Sequence, residues 1–190
     1  SLGAKVLHSR CVEIAKKYGV ELLVCSSLNR NSGTMVREKT KMEKMLISGV
    51  AADKNVAKIR VAGLGNDPES TFRLLNLLDR NNLNIDVMIQ SLGKDGTKSV
   101  SFTVAKPDML RTIDVLNDNK DLLGIKKLDY DENVAKVSVI GAGVRSHSGV
   151  AAKMFGALAN AGINTEMVTT SEIRITALID EAYADQAMRA

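Results

Sequence analysis

Two strand–loop–helix corners, and the polar strand ends that follow them, are the places where residue type and spacing could do chemistry. The later corner runs from Gly141-Ala142-Gly143 to Gly149. Glycines so placed invite a dinucleotide reading, but that fingerprint needs a third Gly at 146, where Ser146 stands, and the parallel βαβ continuation is missing. No GxxxxGK[ST] segment occurs either. Gly143-Val144-Arg145-Ser146-His147-Ser148-Gly149-Val150 instead offers free helix-start amides and a positive dipole end, which suit an anion such as an amino-acid α-carboxylate. The same residues also read as a tight turn that needs glycine, with Ser148 as N-cap. The earlier corner is the polar loop Gly65-Asn66-Asp67-Pro68-Glu69. Asn84 and Asn164 read as turn asparagines. Gln90, Ser171 and Glu172 sit at strand ends and, taken singly, as solvated groups. Asp86 and Glu166 occupy equivalent places in two halves of the chain and do not form a catalytic pair. His147 beside Arg145 reads as a surface group. No Ser/His/Asp or Cys/His constellation stands out, and no Cys/His spacing suggests zinc. No catalytic residue and no metal ligand is assigned.

The chain that positions these residues has 190 of them, enough for one ordinary domain or two small ones. With 3% aromatics and no Trp, its core must be aliphatic. The net charge of +4 is uneven. Residues 1–58 carry 11 Lys/Arg against 5 Asp/Glu, and residues 59–190 carry 15 against 17. A nucleic-acid face needs basic residues clustered across the folded module, and the larger part of the chain is slightly acidic. Cys11 and Cys25 make no disulfide framework and read as buried thiols of a reducing compartment. No apolar run reaches a membrane span, and the first residues lack the h-region of a signal peptide. The opening Ser1-Leu2-Gly3-Ala4-Lys5 reads as the edge of a fragment of something longer.

One module occurs twice. Residues 55–65 (NVAKIRVAGLG) and 133–143 (NVAKVSVIGAG) share seven of eleven positions at an offset of 78. At an offset of 80, LDRNNLNIDVMIQS (78–91) matches LANAGINTEMVTTS (158–171), aligning Asn84 with Asn164, Asp86 with Glu166 and Ser91 with Ser171. The first copy predicts a strand over Val56–Gly63, a helix over 69–82 and a strand over Asn84–Ser91. An Asp-Gly hairpin follows, then a strand over Lys98–Ala105, a helix over Pro107–Asn119 and a strand over Ile125–Asp131. That order is βαββαβ, the ferredoxin-like arrangement. The second copy predicts strand 134–141, helix 148–161, strands 164–171 and 173–179, and helix 180–189. It lacks a fourth strand, which the leftover Lys44–Ala51 can supply, because an unpaired internal edge is costly. RNA-binding domains of this order stack bases on strand aromatics, but Phe72 and Phe155 fall on helices and only Phe102 on a strand. Residues 1–34 belong to neither copy. There Ser9 caps a helix through Tyr18, Gly19 ends it, and Glu21–Ser26 is a strand.

SLGAKVLHSRCVEIAKKYGVELLV (1–24), MEKMLISGVAADKNVAKIRVAG (42–63), NIDVMIQ (84–90), SFTVAKPD (101–108) and GAGVRSHSGVAAKMFGALANAGINTEMVTTSEIRITALID (141–180) closely resemble the C-terminal part of aspartate kinase. The resemblance covers nearly the whole chain. It implies an α+β fold of two ferredoxin-like ACT modules, one inserted in the other. Residues 1–34 correspond to the tail of the kinase catalytic domain and 35–43 to a linker. The first ACT module is then 55–132, and 44–54 plus 133–190 form the second. The family makes aspartyl phosphate from ATP and aspartate, with ATP and Mg as needs of the parent enzyme and none in this fragment. The implied role is feedback control in a cytoplasmic homodimer joined through its ACT modules, with the catalytic domain as a further partner and no nucleic acid or membrane involved.

By position, the family's effector contacts fall on Asn66, Asp67, Glu69 and Thr71, on Asn84, Ile85, Asp86 and Gln90, on Val150 and Ala151, and on Asn164, Thr165, Ser171 and Glu172. Helix-start amides would hold a carboxylate, Asn, Gln and strand carbonyls the ammonium, and Glu172 or Asp67 a lysine side chain. The family's Asp-x-Pro-Gly reads Asn66-Asp67-Pro68-Glu69 here, which places a carboxylate at a helix start and disfavours an α-carboxylate there. Ser148 stands where proline is common, and Thr165 replaces an aliphatic residue. Lysine is the expected effector. Threonine, alone or jointly, and a purely structural dimerisation role are the alternatives.

Overall fold

The computed structural model describes residues 7–27, 33–36, 47–141, 144 and 149–190. The chain divides into two compact units, residues 1–45 and residues 46–190.

In the first unit, α1 (Ser9–Tyr18) is capped by His8, whose Nδ1 accepts from the Arg10 N–H at 3.3 Å; the expected cap at Ser9 is the first helical residue instead. Gly19 ends the helix at φ 65°, a left-handed conformation open to glycine. The strand expected over 21–26 shortens to β1 (Leu22–Val24), paired antiparallel with β2 (Thr34–Val36). Both cysteines are exposed, against the expectation of burial. Among the described residues of this unit, the elements are one short helix and a two-stranded ribbon and the buried hydrophobic residue is Ala15, too little apolar surface to enclose either thiol.

The second unit is a six-stranded antiparallel sheet in the order β4-β5-β3-β6-β8-β7, with helices against it. Its elements are β3 (Gly49–Leu64), α2 (Pro68–Arg80), β4 (Met88–Leu92), β5 (Lys98–Ala105), α3 (Met109–Asp118), α4 (Lys120–Leu123), β6 (Lys127–Ile140), α5 (Gly149–Asn160), β7 (Met167–Thr170), β8 (Arg174–Asp180) and α6 (Ala184–Arg189). Single 3-10 turns, Lys106–Asp108 and Glu181–Tyr183, precede α3 and α6, so both helices start later than expected.

The two longest strands differ most from the sequence reading. The segment expected as Lys44–Ala51 and the strand Val56–Gly63 are one strand, β3; residues 44–46 lie outside the described residues. Likewise Ile125–Asp131 and 134–141 merge into β6. Gly49–Asp53 pairs with Lys136–Ile140, and Val56–Ala62 pairs onward to Lys127. The register shifts between Asp53 and Lys58. The Asn55 N–H donates to Asp53 Oδ1 and the Asn133 N–H to Asp131 Oδ1, each at 2.9 Å. These Asx turns kink each strand without ending it. At the kink Val56 pairs directly with Val134, its own repeat equivalent, so an approximate two-fold axis passes between them.

Each half has its own core, aliphatic but for the fully buried Phe102 in the first. Ile59, Val61, Leu74, Leu78 and Phe102 fill the first, and Val137, Val139, Met154, Leu158 and Ile179 the second. A third small cluster, Val56, Val87, Val134, Met167 and Leu178, joins them. Leu74 and Leu78, one turn apart on α2, are fully buried, which stabilises by about 1.5–3 kcal/mol each relative to exposure. The expected strands over 84–91 and 164–171 begin late, at Met88 and Met167. In the first, residues 86 and 87 already meet β5 at Thr103: the Asp86 N–H donates to the Thr103 carbonyl at 3.1 Å, the Thr103 N–H to the Val87 carbonyl at 2.9 Å, and the Val87 N–H to the Thr103 hydroxyl at 3.1 Å. Among the described residues no helix is long and apolar enough to cross a membrane.

Candidate functional site

The first corner fills itself with its own anion. Asp67 is the N-cap of α2 and accepts from the Glu69 N–H at 3.0 Å. The Ser70 hydroxyl donates to the other carboxylate oxygen. Arg73 reaches Asp67 and Glu69, each at 3.3 Å. Lys98 Nζ donates to the Asp67 carbonyl at 2.8 Å. Gly65 makes the room, because a Cβ there would lie 2.6 Å from Asp67 Oδ2. The Ser70 hydroxyl, with smaller help from Arg73 and the Glu69 amide, holds the Asp67 carboxyl below the usual carboxylate range. The helix-start amide that an incoming carboxylate would seek is therefore committed.

Thr71 and Gln90, on α2 and β4, are brought together: the Thr71 hydroxyl donates to Gln90 Oε1 at 2.7 Å. Asn66 and Asn84 are exposed, and Ile85 packs partly buried against the first core. The Asp86 N–H donates to Thr103 O at 3.1 Å, and its carboxylate receives Lys136 Nζ.

The second corner is different. α5 begins at an exposed Gly149 and has no acidic residue in its first turn. Val150 is buried in the second core and Ala151 packs beside it, so both can offer a ligand their backbone only. Ser148 and most of the preceding loop lie outside the described residues. Asn164 and Thr165 are exposed on the approach to β7. The Ser171 N–H and hydroxyl both donate to Arg174 O, at 2.7 and 3.3 Å, closing the β7–β8 turn over exposed Glu172, which has an interaction of its own.

Arg73 and Lys98 in the first corner, and Lys58 and Lys136 between the halves, are not among the residues that the sequence singles out. The two lysines carried a signal: they hold the same position of the repeated NVAK segment.

The ACT domain profile matches residues 137–190. Over the full length the chain is 42% identical to an aspartokinase of Helicobacter pylori and 39% identical to one of Pseudomonas aeruginosa, covering 47% of each. It thus spans about half the length of the curated relatives it matches. The regulatory subunit of aspartate kinase from Thermus thermophilus, solved in a ligand-free form, superposes with a TM-score of 0.71 at 32% identity, over 76% of this chain and 95% of that one. Joined to two ferredoxin-like modules, these likenesses place the chain in the aspartokinase family, as an ACT-containing regulatory region.

Proposed function

We propose that this region binds an end-product amino acid, L-lysine, and so exerts feedback control on an aspartate kinase that makes 4-phospho-L-aspartate from ATP and L-aspartate. The observation that carries the reading is the inequality of the two corners. Asp67 fills the first, whereas the second opens on Gly149 with no acidic first turn. An α-carboxylate then sits on the amides of Gly149, Val150 and Ala151. Asn164, Thr165 and neighbouring carbonyls take the α-ammonium, and Glu172 with Ser171 faces the lysine side chain. In the first module Thr71 and Gln90 present the equivalent polar edge, with Asn66, Glu69, Asn84, Ile85 and Asp86 around it. β4 and β7 stand at the two ends of the sheet, and their outer edges offer a homodimer contact. ATP and Mg²⁺ belong to the proposed activity of the whole enzyme. Among the described residues no three His, Cys, Asp or Glu converge on a metal position.

A calorimetric titration of the chain with lysine and with threonine tests this. Lysine should bind at micromolar to millimolar concentration and raise the melting temperature by mass action, and Glu172→Ala should weaken it. No heat and no thermal shift with either amino acid would sink the sensing claim. A purely dimerising role has one observation in its favour, since Asp67, Asp86 and Glu166 each already hold an intramolecular cation. Size-exclusion chromatography showing a dimer that ignores both amino acids would establish it.

A further inference from the structure

Lys58 and Lys136 are repeat equivalents, and each crosses to the other half. Lys58 Nζ binds the Glu166 carboxylate, and Lys136 Nζ binds the Asp86 carboxylate. The lysine side chains are 25% and 14% exposed and the carboxylates they meet 34% and 48%, so both bridges are partly buried. Lys136 also approaches Asp53 at 3.4 Å. Backbone pairing closes these two bridges into a ring. The Asp86 N–H bonds Thr103 O, and Thr103 is the ladder partner of Lys58 on β3. Lys58 reaches Glu166, whose N–H bonds Leu178 O at 2.8 Å. Leu178 is the ladder partner of Lys136 on β6, and Lys136 returns to Asp86. Leu178, a member of this ring, also packs in the small cluster of Val56, Val87, Val134 and Met167 at the join.

We propose that Lys58 and Lys136 are reciprocal positioning residues, each holding the lead-in segment of the other module: Lys136 fixes 84–86 and Lys58 fixes 164–166. Because those segments stand at the ends of β4 and β7, a ligand that shifts one of them pulls on a lysine rooted in the opposite half of the sheet. The ring returns that pull to the second segment. The consequence for ligands rests on the sensing reading above; the positioning itself does not. A ligand ammonium approaching Asp86 or Glu166 meets a carboxylate already matched, so those acids orient the segment and leave cation recognition to other groups.

The test is residue-resolved amide hydrogen exchange on the 190-residue chain. Lys136→Met should speed exchange at Asp86 and Val87, and Lys58→Met at Glu166 and Met167, by about fivefold, the size expected for one partly buried ion pair. Ile59 and Ile179, in the two cores, should not change. Lys→Arg at either site should keep the protection, and the charge reversal Lys58→Glu with Glu166→Lys should restore it. Uniform acceleration across both cores, or acceleration confined to the lysine's own half, would overturn the positioning role. In parallel, wild-type titration with lysine judges the sensing reading by itself. If wild type binds and Lys58→Met leaves the affinity unchanged while exchange at Glu166 rises, the consequence for ligands is wrong and the positioning stands.

Discussion

Val56 and Val134 offer the sharpest stability test, because they are the same residue of the repeat facing itself across the join. They are 1% and 0% exposed and directly paired between β3 and β6. Truncating either to Ala removes two methyl groups, about 1.6 kcal/mol of transfer free energy. A residual cavity raises that to about 2–3 kcal/mol, because the bulged strands on either side cannot close onto the gap. With an m-value of about 2–3 kcal/mol/M in urea, each variant should lower the midpoint by about 1 M. The double variant should cost less than the two singles together, by about 0.5–1 kcal/mol, since the second truncation enlarges a cavity that the first has opened. Far-UV circular dichroism against urea reads all four proteins. Strict additivity within about 0.3 kcal/mol, or a single-variant cost under about 1 kcal/mol, would refute the claim that these valines pack on one another at a shared axis.

Three further expectations follow from the same contacts. Gly65→Ala should push the Asp67 carboxylate off the α2 start, because its Cβ would fall 2.6 Å from Oδ2 and 3.0 Å from Ser70 Oγ; loss of exchange protection at Glu69 and Ser70 with the rest of α2 intact reads this. The Asp67 carboxyl should titrate below the ordinary carboxylate value, so its contribution is complete at neutral pH and is lost as pH falls through that lowered value; Ser70→Ala should move the titration, followed by carboxyl carbon NMR, back up more than Arg73→Ala does. Ser138 and Thr176 bury a hydroxyl pair at 2.8 Å; Thr176→Val alone should cost about 1–3 kcal/mol by stranding the Ser138 hydroxyl, and Ser138→Ala with Thr176→Val should recover much of that in urea unfolding.

Much of the fold was legible because its signals are local or repeated. Leu74 and Leu78 at helical spacing, Pro68 at a helix start and the offset between the two NVAK segments each point one way. The strand boundaries at Asp53-Lys54-Asn55 and Asp131-Glu132-Asn133 were misread for a physical reason. Asp and Asn are turn formers, and here their turns bend a strand that carries on. The burial of Cys11 and Cys25 was inferred from apolar neighbours, but burial depends on how much chain surrounds them. In the candidate site, the Asp67 cap is a contact between near neighbours and was within reach of sequence reasoning. The Lys58–Glu166 and Lys136–Asp86 bridges, separated by 108 and 50 residues, were not. A pattern of charges shows which residues are equivalent, but only the crossing of β3 and β6 shows that equivalents exchange partners.

That exchange also accounts for why the two corners can differ without disturbing the fold. The join is held by groups that both halves supply in kind: Val56 with Val134, and Lys58 with Lys136. None of these groups belongs to the helix starts. A carboxylate at residue 67 therefore closes one corner through Glu69, Ser70 and Arg73, all on its own helix, and leaves the shared ring untouched. Gly149 at the other helix start keeps that corner free of an acidic first turn under the same scaffold. Ligand choice and module coupling thus rest on separate sets of residues. Replacing Asp67 should free the first corner for an incoming anion while the exchange pattern at Asp86 and Glu166 stays as it is. If replacing Asp67 by Ala changed protection at Glu166 as much as at Glu69, the two sets would not be separate and this account of the tandem would fail.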